Sequence, residues 1–441
     1  MTHEDEPPEV PKLATQDGTL RLRWSWVERA AWTERMLTAL EQGVKGNVWF
    51  SLIDKVFSER NLNAAACHVV ANKGAAGVDH ITVEHFSRDQ IQNVNRLSVQ
   101  LKDGTYRPQS VQRVYIPKPG SAEKRPLGIP TVRDRVVQAA TRQVLEPIFE
   151  REFAPHSYGF RPRRGCKDAL RRVDELLKSG HVYVVDADLK SYFDTIPHEP
   201  LMLRVGERIA DKRVLSLIES FLKAGIMDGL KEWMPEEGAP QGAVLSPLLS
   251  NIYLNPLDHH MAAQGFEMVR YADDFVILCR SAEAAQQALS QVEQWTADNG
   301  LTLHPTKTRI VDTRTEPFEF LGYRFEKGKR FPRKKSLRKL KDTLRAKTKR
   351  TNGRSLPAII AGLNPILRGW FHYFKHCYKT EFPGVDGWVR GRLRSILRKR
   401  LGHRGRGRGR DHQRWPNAFF AKQGLFSLKH AHGEACQSSR R

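Results

Sequence analysis

Nowhere in the 441-residue chain do 18 apolar residues follow one another, so no segment reads as a membrane-spanning helix. Cysteine is scarce: five residues stand apart at Cys67, Cys166, Cys279, Cys377 and Cys436. None falls in a Cys-x-x-Cys or paired Cys/His spacing, which argues against a disulfide scaffold and against a zinc ribbon. That usage fits a reducing compartment. The opening MTHEDEPPEVPK lacks the basic-then-apolar pattern of a secretory signal, and a cytoplasmic location is expected. Acids are also outnumbered, 49 Asp and Glu against 73 Lys and Arg, for a net charge of +24. What is present in quantity is core-forming material. The 40% hydrophobic share excludes disorder of the whole chain, and the length allows two or three domains of about 100–200 residues.

The positive excess is concentrated. Residues 321–350 carry 14 Lys/Arg and two acids, and residues 390–414 carry 11 and one. These two stretches hold 22 of the 24 excess charges. A solubilising surface would spread them, whereas blocks of this kind suit a polyanionic partner.

Residues 1–20 are polar and acidic and are expected to be disordered. The stretch from Trp24 to about Leu101 reads as mostly helical, including 61–72, with a turn at 73–77. VQRVYI (111–116) alternates as a short strand, 134–152 has helical spacing, HVYVVDA (181–187) is a strand, and 267–279 reads as two strands joined by a tight turn. Strands and helices mix without a regular βαβ repeat, which predicts an α+β fold. Beyond Phe325 the pattern is helical and basic. Leu337, Leu340 and Leu344 form a narrow stripe among Arg338, Lys339, Lys341, Arg345 and Lys347. In 392–401, Leu393, Ile396, Leu397 and Leu401 are expected to face inward and Arg392, Arg394, Arg398, Lys399 and Arg400 outward. GHRGRGRGR (402–410) reads as a flexible basic linker, and 414–428 is apolar enough to dock on something.

Two places put acids where core strands belong. In VVDADLKSYFD (184–194), Asp186 and Asp188 are two apart and share a strand face. In YADDF (271–275), Asp273 and Asp274 occupy a turn between apolar runs. Carboxylates beside hydrophobic strands need hydrogen bonds or a cation. Magnesium takes oxygen ligands and substrate phosphates, and two such ions can serve an in-line displacement. Taken alone, YADD is also compatible with an ordinary Asp-containing turn.

The order of motifs goes further. NKGAAGVD (72–79), IPKPGSAEKRPLGIPTVRDRVVQ (116–138), SYGFRPRRG (157–165), DADLKSYFDTI (186–196), PQGAVLSPLLSNIYL (240–254), RYADDF (270–275), LTLHPTKT (301–308), FEFLGYRF (318–325) and LNPILRGWFHYF (363–374) follow one another. In this series the chain resembles the reverse transcriptases, or maturases, encoded by bacterial group II introns. The resemblance runs from about Lys45 to Leu428.

It implies a right-hand polymerase with fingers and palm over 45–325, a thumb or maturase domain X over 326–401, a leader with a first helix over 1–44, and a tail over 402–441. Asp188, Asp273 and Asp274 match the family's catalytic, metal-binding acids, which would hold two Mg2+ ions, with Mn2+ as a substitute. Asp186 competes with Asp188 for this role, and the spacing to Phe193 selects Asp188. Phe193 matches a ring beneath the sugar of the incoming nucleotide that would exclude a 2′-hydroxyl; a plain core aromatic is the other reading. Lys118 and Arg125 match fingers residues that hold the triphosphate, or are solvated loop charges. Arg133 and Arg135 could bind template phosphates. Gln241 would offer its amide near the sugar, Gly242 would let backbone approach substrate, and Lys307 would protonate pyrophosphate. Arg338, Lys339, Lys341, Arg345, Arg394, Arg398 and Lys399 would track the phosphates of nucleic acid.

The implied partners are group II intron RNA, an RNA template with a DNA primer, dNTPs and target DNA, with no membrane. The paired cysteines and histidines of the nuclease module found in many family members are missing after residue 402, so a nuclease-lacking type is expected. A related enzyme serving phage defence or a CRISPR system, and a splicing-only RNA binder, are the alternative functions.

Overall fold

The computed structural model describes residues 22–117 and 124–438. The disorder expected over 1–20 and the triphosphate contact expected at Lys118 lie outside the described residues.

Strands β1 (Val111–Pro117) and β2 (Lys124–Ile129) form an antiparallel ribbon. Alternation continues in β3 (Tyr183–Asp188), where Val184, Asp186 and Asp188 take one face and Val185 and Ala187 the other. Two short strands, β4 (Ile226–Asp228) and β5 (Lys231–Trp233), complete the first sheet in the order β2-β1-β4-β5. The predicted hairpin is β6 (Glu267–Tyr271) and β7 (Asp274–Cys279), closed by Ala272 and Asp273. With β8 (Arg309–Asp312) these form a second sheet, β6-β7-β3-β8, all antiparallel. A third sheet follows from β9 (Phe318–Phe320), β10 (Tyr323–Glu326) and β11 (Lys329–Pro332).

The second sheet lies between two cores. Val185, Ala187, Phe275 and Ile277 join a core that runs from Trp24 to Leu301 and includes the helices Val132–Glu150, Ser246–Ala263 and Ala282–Asp298. Val184, Val269, Val276, Leu278 and Val311 join a second core, with the helices Cys166–Lys178, Lys334–Lys347, Leu356–Phe374 and Glu381–Arg400. A sheet covered on both sides has to be apolar on both, so the acids on its second face mark a place where packing gives way to something else.

In the Lys334–Lys347 helix, Leu340 and Leu344 are buried and Leu337 is partly so, while Arg338, Lys339 and Arg345 are exposed. The C-terminal reading needs correction. Arg394 does not face outward: it is 3% exposed, donates to the Trp415 carbonyl at 2.9 Å and Asn417 Oδ1 at 3.0 Å, and lies over the Phe420 ring. Leu401, expected inward, is exposed. The basic stretch 402–410 is held in place, because Arg398 donates to the Arg404 carbonyl and to Asp411, and Asp411 also accepts from the Arg408 amide. Trp415, Phe420 and Leu428 are buried in the second core. Asp386 receives Ser427 Oγ and the amides of Leu428 and Lys429, satisfying donors at the start of the Leu428–Ser438 helix. Residues up to 438 thus complete the domain begun by the preceding helices.

Candidate active site

β3 and β7 pair so that Asp188 stands directly opposite Asp274, and Asp186 opposite Val276. Asp273 occupies the adjoining turn. Like charges in register repel, and here they are also shielded from water. Burial, and then repulsion from Asp186, Asp273 and Asp188, pushes the Asp274 carboxyl up to about 7. Asp273 is raised by burial and by Asp188. Burial raises Asp186 to about 6, against the pull of Arg309, whose guanidinium is 3.8 Å away. The four acids therefore form one electrostatic cluster at the end of the sheet.

Lys307 is the cation paired with Asp188 among the described residues, its Nζ donating to Asp188 Oδ2. The loop carrying it is pinned to the end of β3, with Lys190 N donating to the Thr302 carbonyl at 2.8 Å and His304 N to that of Asp188 at 2.7 Å. The fold thus brings together Lys307 and Asp188, 119 positions apart in the chain. Among the described residues, no group of three or more His, Cys, Asp or Glu side chains stands ready to hold a metal ion. The donor chemistry nevertheless fits one: crowded carboxylates that raise each other's pKa lack positive charge, and hard oxygen donors suit a divalent cation.

Phe193 follows Ser191, which has φ +51°, in a short 3-10 turn. Its ring meets the edges of Tyr192 and Phe160. Phe193 and Gln241 line the same cavity of about 340 Å3, with Arg113, Asp194, Gly128 and Trp233. Arg125 lines a second cavity of about 590 Å3 between β1, β2 and the C-terminal helices, shared with Arg333, Lys339 and Trp370. Its charge reaches Asp273.

Three other sequence expectations change. Gly242 has φ +106°, and a Cβ there would meet the Gly128 carbonyl oxygen at 2.6 Å. Its close approach is thus to β2 of its own chain. Arg135 is 9% exposed and donates to the Ala75 carbonyl at 2.5 Å, so it braces the 73–77 turn and is not free for template phosphates. Arg133 stacks on Tyr106 and donates to Gln100 Oε1. Sequence reasoning missed Arg270, which is fully buried beneath the acidic turn; its place in RYADDF was visible, but its burial was not.

Residues 116–325 match the family described as reverse transcriptase (RNA-dependent DNA polymerase), and residues 337–415 match the maturase-specific domain of group II introns. The protein YkfC of Escherichia coli strain K12 is 34% identical over 304 residues, 60% of this chain and 79% of YkfC. The chain belongs to the reverse transcriptases encoded by group II introns. The group II intron-encoded protein LtrA of Lactococcus lactis subsp. cremoris is 42% identical over 193 residues, 43% of this chain and 32% of LtrA. An uncharacterized 91 kDa protein in the cob intron of Schizosaccharomyces pombe is 32% identical over 270 residues, 48% of this chain and 33% of that protein. The chain thus spans most of YkfC but about a third of LtrA.

The resemblance drawn from the nine motifs and the right-hand α+β polymerase fold are both borne out, as is the assignment as an RNA-directed DNA polymerase joined to a maturase domain. The phage-defence and CRISPR alternatives are not favoured. Reverse transcriptase domains of this family work with divalent metal ions. No helix among the described residues is long and apolar enough to cross a membrane.

Proposed function

We propose that this group II intron reverse transcriptase extends a DNA primer on an RNA template at the carboxylate cluster, and that its basic C-terminal helices bind the RNA of its intron. The observation that carries the first part is the cross-strand pair of Asp188 and Asp274 beside Asp273, acids on the end of a buried sheet with no apolar partner to explain them. Asp188, Asp273 and Asp274 would hold Mg2+, as a pair of ions with Mn2+ as a substitute. Bound there, such ions supply activation of the primer hydroxyl and neutralise charge on the leaving oxygens.

The chain's own residues do the rest. Phe193 closes the nucleotide side of the cavity, where Gln241 offers its amide. Arg125 faces the carboxylates from β2 and provides a planar fork for phosphate. Lys307 donates to Asp188, and its ammonium is the proton donor for departing pyrophosphate. Lys118 is assigned to the triphosphate by the motif alone. Residues 22–325 then serve as fingers and palm, and 326–438 as the thumb, with the 402–438 tail packed into it. Arg338, Lys339, Lys341, Arg345 and Lys399 are the cations left to track phosphates of the primer–template hybrid, intron RNA and target DNA. Arg394 and Arg398 serve the packing of the tail.

The test is primer extension on an RNA template with dNTPs and Mg2+ or Mn2+; no product with either cation would overturn the reading. Phe193→Ala is expected to raise ribonucleotide incorporation relative to deoxynucleotide by at least about tenfold, a steric contact of roughly 1.4 kcal/mol. Single-nucleotide incorporation measures it, and unchanged discrimination would leave Phe193 as a core aromatic. Lys339→Ala with Lys341→Ala is expected to lower the slope of log affinity against log salt for an RNA–DNA hybrid. Two lost phosphate contacts correspond to a change of about 1.4–1.8.

A further inference from the structure

We infer that Arg270, held by Asp258 and Asn251, is a positioning residue that sets the Ala272–Asp273 peptide and thereby aims the Asp273 carboxylate. The inference rests on the reading of Asp273 and Asp274 as catalytic acids. Ala272 has φ +60°, a region where a residue with a Cβ is strained and stays only if its surroundings hold it. Those surroundings are specific. Arg270 is 0% exposed, and its Nη1 donates to the Ala272 carbonyl at 2.9 Å, the acceptor in the very peptide that leads into Asp273.

The rest of the guanidinium is fully engaged. Nε donates to Asp258 Oδ1 at 2.8 Å, Nη2 to Asp258 Oδ2, and Nη1 also to Asn251 Oδ1 at 3.0 Å. Asn251 in turn donates to the Gly159 carbonyl at 2.8 Å. Gly159 lies directly under the turn, so close that a Cβ there would stand 2.8 Å from the Tyr271 carbonyl carbon. The 156–159 segment is itself tied to β6: Arg270 N donates to the His156 carbonyl at 3.0 Å, and Tyr158 N to the Arg270 carbonyl at 2.9 Å. One side of Ala272 is thus blocked by backbone and the other is held by a charged fork. A planar peptide turns as a unit, so fixing its carbonyl fixes the departure of the chain to Asp273.

A buried ion pair is a poor source of net stability, because desolvation offsets its attraction and apolar residues of like volume replace it at little loss. That property separates a positioning role from a supporting one. The double variant Arg270→Met with Asp258→Leu leaves no orphan charge and removes the hold on Ala272. Made in the full chain, it is expected to melt close to the wild type and to bind primer–template unchanged. Its kcat for primer extension is expected to fall at least about tenfold with KM for primer–template unaltered. Hydrogen exchange read by mass spectrometry, without nucleotide or metal, is expected to speed up several-fold in peptides over 268–276 and not in those over 183–187.

Arg270→Lys keeps the charge without the fork and is expected to share the defect. Asn251→Ala, which loosens one arm only, is expected to show the same local exchange with a smaller loss of kcat, and it decides the matter if the double variant does not fold. Wild-type kcat and wild-type exchange over 268–276 in a folded variant would overturn the inference. Asp273→Ala run alongside separates the two readings: if it still extends primers, the catalytic assignment has failed and not merely the positioning one.

Discussion

Replacing Asp273 and Asp274 together by alanine is expected to abolish primer extension, a loss of at least about 1,000-fold or roughly 4 kcal/mol of barrier, while RNA binding persists. The two acids sit in a sheet end that offers them burial and mutual repulsion but little compensation. RNA binding is assigned to exposed cations such as Lys339 on another element, so it should survive. The stability of the variant gives a second check. A carboxyl whose folded pKa is raised favours the folded state when protonated. That advantage is present below the ordinary Asp value near 3.8 and is lost as pH rises toward about 7, the value for Asp274. In EDTA near neutral pH the double variant should therefore melt no lower than the wild type. Sustained extension by this variant would end the site assignment.

Gly159→Ala is the second large effect. The added methyl would lie far too close to Ala272 N and 2.8 Å from the Tyr271 carbonyl carbon, both backbone atoms that cannot swing aside. Overpacking of this kind costs about 1–3 kcal/mol or more, and relief would come from displacing the turn that bears Asp273. A lower denaturation midpoint and a collapse of extension rate are expected together. Gly362→Ala is the control. It sits in the Leu356–Phe374 helix with nothing within 4 Å of the new methyl and should gain about 0.5–1 kcal/mol. Equal stability of the two variants would show that the contact under the turn is not as tight as described.

Apolar runs rich in strand-forming residues made β3 and the hairpin β6–β7 legible, and a strand buried on both faces has few ways to hide an acid. Asp186 and Asp188 could be placed on one face, and the structure keeps them there. Leu340 and Leu344 likewise marked the inner side of their helix. What the residues could not tell was which arginines would be covered. Arg394 follows Leu393 in a run of cations, and only the arrival of Trp415, Asn417 and Phe420 from later in the chain turns it inward. Gly242 and Arg135 each turned out to have a backbone carbonyl as a neighbour in space that spacing along the chain does not reveal. Arg270 was invisible because its partner Asp258 comes from a separate element, the Ser246–Ala263 helix, 12 positions earlier in the chain.

The division into two cores bears on how a ribosome delivers this protein. The buried residues of the first end at Leu301 and those packed against them at Ile310, so it can close while the remainder is still being translated. The second takes Tyr158 and the far side of the same sheet but waits for Phe420, Leu428 and Ala431. Until those emerge, the half-covered sheet, acids included, faces solvent or a chaperone, and a message cut short before them would yield a chain with a finished front half and an exposed, sticky back.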